Sequence, residues 1–182
     1  MTSGGAATGK GLRPRLRASL PPARLLLAGA PLWGMAMALS ASASITLRIG
    51  ATGRLPEVMQ LYFIGGTLAW PFALVAARFL AAARPRTARF CAFLLALVAA
   101  TLAMTAFLFA MDYRLFYAQW HQPFGTRIWA YQFVFTSAAA VYQFVVIGVR
   151  LYLPIGAAVL VATSLWLSAR DPVETARPVA PD

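Results

Sequence analysis

Long uncharged runs alternate with short arginine-bearing connectors along this chain, and the run lengths set the elements it forms. Leu25 to Leu47 holds 23 residues without a charge, and about 20 apolar residues are enough for a helix to cross the hydrocarbon of a bilayer. Val58 to Leu80 and Phe90 to Met111 predict a second and a third span. Ala30, Gly34, Ala38 and Ser42 recur every fourth place in the first span and share one face, where small side chains let helix backbones approach. Ala92, Ala96 and Ala100 repeat the device in the third. Pro71, within "WPFA", removes a backbone donor from the middle of the second.

The last run decides the topology. From Ile128 to Leu167 the only charge is Arg150, and one straight helix over that distance would run about 60 Å, twice the hydrocarbon thickness. Either the chain crosses twice with its turn at Arg150 and Pro154 opening the next helix, or a first oily helix lies at the outer surface and only the second half crosses. Leaving so much apolar surface out of the hydrocarbon is costly, so the expected fold is all-α, a polytopic helical membrane protein with five transmembrane helices; four plus an outer-surface apolar helix is the alternative. On a helical wheel Gln132, Thr136, Gln143 and Arg150 share one face, a polar seam suited to hydrogen-bonding a neighbouring helix or lining a narrow path.

Between the third and the last run, "DYRLFYAQWHQPFGTR", residues 112–127, is rich in Tyr, Phe and Trp, the residues that rest at head-group level. We expect an interfacial loop or short helix. Asp112, Tyr113, Arg114, Tyr117, Trp120 and His121 are the residues with which an outer-face site can be built, His121 beside an acid serving as a base with an orienting partner; Asp112 with Arg114 also reads as a plain helix-end pair.

Composition agrees with the membrane class. Hydrophobic residues make up 60% of the 182 and charged ones 12%, against about 25% charged in soluble domains. The net charge of +11 is spread over connectors instead of forming one stripe, the layout of loops meeting anionic head groups and not of a nucleic-acid surface. Arg78, Arg84, Arg86 and Arg89 crowd one connector and mark it as cytoplasmic. Residues 1–24, with Lys10, Arg13, Arg15, Arg17 and Arg24, read as a disordered basic cytoplasmic tail, 25–169 as one transmembrane domain, and 170–182 as a disordered tail. A cleaved signal peptide is the competing reading of the first span, with "SASAS" as the cleavage site. Excess of Arg over Lys and the Ala/Pro bias suggest a GC-rich bacterial genome and hence an inner membrane, with the N-terminus cytoplasmic.

Little catalytic chemistry is encoded. "GGAATGKG" imitates a phosphate-binding loop but has Gly11 where the magnesium-binding hydroxyl belongs and no strand before it. The single Cys91 and single His121 provide neither a disulfide nor a paired-histidine haem site, Cys91 being read as a small apolar filler within a helix. No metal or cofactor is expected. The expected function is that of a non-catalytic accessory, assembly or scaffold subunit contacting lipid and either other membrane proteins or further copies of itself. A small oligomeric transporter or channel using the seam is the second expectation, an outer-face enzyme using His121 the third.

Overall fold

The computed structural model describes residues 19–48, 50 and 53–170; the imitation phosphate loop at residues 4–11 and the tail 171–182 lie outside them. Among the described residues the chain is all-helical, with five helices: α1 (Ala23–Arg48), α2 (Leu55–Ala81), α3 (Arg86–Tyr117), α4 (Arg127–Val146) and α5 (Ile155–Arg170), and short 3₁₀ helices at Ala118–Trp120 and Gly148–Tyr152. Four helical stretches, α1, α2, α3 and α4 with its 3₁₀ continuation, are long and apolar enough to cross a membrane, and α5 is a shorter apolar helix. The chain is therefore a multi-pass helical membrane protein.

Local chemistry starts these helices. A proline opens α2 at its first turn and Pro85 precedes α3, positions where the missing N–H costs nothing. Gly125, with φ of 89°, supplies the left-handed turn that few side chains tolerate. One residue later Thr126 Oγ1 accepts a hydrogen bond from Trp129 N at 3.1 Å and caps α4.

The helices assemble as four antiparallel rods, because α4, the 3₁₀ segment and α5 follow one another along the full length of α3. Toward its C-terminal end Phe109 meets Phe144, ring centroids 6.2 Å apart. Further in, Tyr152 OH donates to Thr105 Oγ1 at 2.8 Å, and near the start of α3 the Arg89 guanidinium donates to the Ser168 carbonyl. So α5 runs back toward the end at which α1 begins and α3 begins. Arg150 lies near the opposite end: its carbonyl accepts from Ser44, one turn before Arg48.

Between α1 and α2 the fit is backbone to backbone. A Cβ built on Gly66 would stand 2.9 Å from Gly34 Cα, so any side chain there pushes the helices apart and forfeits the dispersion contacts on which packing in lipid depends. The buried face of α1 comprises Trp33, Gly34, Met37, Ala38, Ser40, Ala41, Ser44 and Ile45. Gly34 and Ala38 thus belong to it as expected, whereas Ala30 and Ser42 sit at its half-exposed margins. In α3, Ala92 and Ala96 are buried beside Phe93 and Leu97. Cys91 is exposed on the outer face of α3 and fills no gap. The helix α3 also runs on through Asp112 to Tyr117, so the first third of the aromatic segment is helix and not connector. Its 32 residues reach about 48 Å, longer than α1 or α2.

Candidate functional site

Two features stand out, the interruption of the fourth rod and the hairpin that α3 and α4 form beyond it. The interruption has a covalent cause. Pro154 has no N–H, so the carbonyl of Arg150, four residues earlier, loses its helical donor. The chain tightens into a 3₁₀ turn, in which Leu153 N donates to Arg150 O at 3.1 Å. Non-helical backbone at membrane depth persists only when the protein supplies partners, and here α1 and α2 do so. Ser44 Oγ donates to Arg150 O at 3.5 Å, Ser40 Oγ to Leu151 O at 3.3 Å, and Tyr62 OH to Gly148 O at 2.7 Å. Ser40 Oγ also accepts from Gly156 N at 2.8 Å, tying down the first turn of α5. Trp33 Nε1 donates to Thr101 Oγ1 at 3.0 Å nearby. Ser40 stands 16 residues from Arg24 and 8 from Arg48, which puts this joint about 12 Å from the Arg48 end of α1.

Ser40 and Ser44 are part of the "SASAS" stretch whose composition resembles a cleavage site; in the folded chain they lie inside α1 and bond to the joint. The break falls where Arg150 and Pro154 in the sequence place it, between Gly148 and Ile155; the partners that complete it are not announced by the apolar runs. The legible signals are Pro154 between Gly148 and Gly156 in the sequence, and a serine pair one turn apart in an otherwise oily helix.

The hairpin is held by rings. Tyr152, Tyr62, Phe144, Phe109, Tyr113, Tyr117 and Trp120 form a continuous ladder with successive centroids 4.6 to 6.5 Å apart. The α3 members follow helical spacings that place them on one face. Arg114 Cζ lies 4.2 Å above the Phe133 ring, a cation–π contact across the hairpin. Outside this seam α4 has little cover: Ala140 and Phe144 are its buried residues, while Tyr131, Phe135 and Tyr142 are each about two-thirds exposed.

The sequence-derived polar seam is divided by the structure. Thr136 Oγ1 donates to Gln132 O at 2.5 Å and lies 3.3 Å from His121 Nε2; Gln132 Oε1 accepts from Gln122 N at 2.9 Å. These three residues, Gln132, Thr136 and His121, anchor the 118–126 loop to α4. Gln143 is exposed, and Arg150 falls in the 3₁₀ turn, off the α4 wheel altogether. Of the outer-face candidates, Arg114 turns to Phe133, Trp120 joins the ring ladder, Asp112 is exposed, and His121 faces a hydroxyl in place of an acid. Among the described residues no group of three His, Cys, Asp or Glu gathers as a metal site.

Charge divides by end. Arg24, Arg78, Arg84, Arg86, Arg89 and Arg170 lie at the end where α1 starts and α5 finishes, and the two described carboxylates, Glu57 and Asp112, lie at the other with Arg48, Arg54, Arg114, Arg127 and Arg150. No family model matches the chain, and neither a curated protein nor a solved structure matches it.

Proposed function

We propose that this chain is a non-catalytic accessory or scaffold subunit of a bacterial inner membrane, whose outer α3–α4 hairpin docks another membrane protein or a second copy. The supporting observation is the hairpin itself, bridged by the Phe109–Phe144 rings and by Arg114 over Phe133, with Tyr131, Phe135 and Tyr142 exposed on the other face of α4. Exposed aromatic faces on a preorganised element are what protein interfaces use as anchors. The arginine-rich end is read as cytoplasmic, which sets the N-terminus inside. With α5 returning to that end, the proposed arrangement has four passages, the last made by the 3₁₀ turn and α5, and α4 on the outer side.

A photo-crosslinking residue at Phe135 tests the docking role in cells. The expected product is a discrete protein adduct, heterologous or self, that is lost when the same group replaces Leu27 at the other end. Adducts with lipid alone, together with a lone monomer by native mass spectrometry from gentle detergent, would remove the proposal.

A further inference from the structure

The two indole-lined helices α1 and α5 stay apart at the arginine-rich end and leave a groove of about 610 Å³, walled by Arg24, Gly29, Trp33, Trp70, Ala162 and Trp166 among others. That volume is within the ~300–1,000 Å³ typical of small-ligand sites. Two of its indole N–H groups are already committed: Trp70 Nε1 donates to Leu25 O at 3.0 Å and Trp33 Nε1 to Thr101 Oγ1 at 3.0 Å. Those rings therefore offer the groove only hydrocarbon-like surface. Its mouth is cationic. Arg24 lines it from the first turn of α1, and Arg170, in the last turn of α5, holds its guanidinium 4.4 Å above Trp166. Both arginines are exposed, and the described carboxylates are at the far end of the bundle.

An apolar slot ending in two cations at a membrane boundary is complementary to one class of molecule, and we propose that it binds an anionic phospholipid. The acyl chain lies along Trp33, Trp70 and Trp166, and the phosphate is held between Arg24 and Arg170. Basic pockets between transmembrane helices select anionic head groups in this way. A zwitterionic lipid would fill the slot equally well and bring the same phosphate, but its choline cation would be held against the two guanidinium groups, so a head group with net negative charge is favoured.

Tryptophan quenching by brominated acyl chains reads the contact directly. The protein carries Trp120→Phe and Trp129→Phe, so that emission comes from the three groove indoles, and is placed in phosphatidylcholine nanodiscs containing a minor fraction of brominated phosphatidylglycerol or brominated phosphatidylcholine. Phosphatidylglycerol is expected to quench preferentially. That preference should fall roughly fivefold in Arg24→Gln and in Arg170→Gln and about thirtyfold in the pair. Arg86→Gln, at the same end but outside the groove, should keep it. Equal quenching by the two lipids in the unsubstituted groove overturns the proposal whatever the variants do, and so does a loss in Arg86→Gln as large as in Arg24→Gln.

Discussion

A single hydroxyl can matter more in this protein than a whole exposed side chain. Ser40 Oγ serves two backbone groups of the joint, accepting from Gly156 N and donating to Leu151 O, and its removal leaves both without their side-chain partner. Unpaired buried groups cost about 1–3 kcal/mol, so Ser40→Ala should lower the unfolding temperature in detergent by several degrees, at roughly 2–4 °C per kcal/mol for a chain of this size. Thr46→Ala is the control, because Thr46 Oγ1 bonds only its own helix at Ser42 O and should shift the temperature little. Equal shifts in the two variants would mean that the joint adds nothing to stability. Tyr62→Phe, which deletes one donor to Gly148 O, should fall between them. These residues were legible in the sequence only as types: a serine in an oily helix is a candidate for interhelical bonding, but which carbonyl it meets over a hundred positions away follows from packing alone.

Each helix was foreseeable from run length, since a chain in lipid must satisfy its backbone internally and an apolar run of this size does so as a helix. The ends were not, because charge does not stop a helix that has a neighbour. Asp112 and Arg114 read as the start of a connector, yet α3 passes through them, since Tyr113 and Tyr117 continue the Phe109 face and Arg114 finds Phe133. The Gln132 to Arg150 stripe failed as a continuous seam for the converse reason, a proline that ends the periodicity before Arg150 is reached. If the ladder fixes the hairpin, Phe109→Ala should loosen α4 while leaving α1 and α2 unchanged. Aromatic pairs contribute about 0.5–1.5 kcal/mol beyond their area, so α4 amides should exchange roughly two- to tenfold faster by hydrogen–deuterium mass spectrometry. Uniform acceleration across all helices would show instead that Phe109 supports the whole bundle.

Across the whole molecule, parity of passages is the quantity that matters, and it is measurable with a reporter active on only one side fused after Arg170. Cytoplasmic signal at both ends of the chain is the expected outcome for four passages; an external C-terminal signal would require α4 to cross on its own. The sequence by itself determined that the protein lives in lipid, that it is helical, and roughly where each apolar run lies, because these depend on transfer free energies summed over twenty or so residues and need no neighbours. Tertiary structure alone decided that α4 and α5 share one rod against α3, that Ser40, Ser44 and Tyr62 complete the backbone left open by Pro154, and that Arg24 and Trp166, with Arg170 over its ring, wall one groove. Such outcomes depend on which surfaces interlock. Apolar runs of equal hydropathy are interchangeable to water and lipid, and only side-chain shape and the pairing of buried polar groups tell them apart.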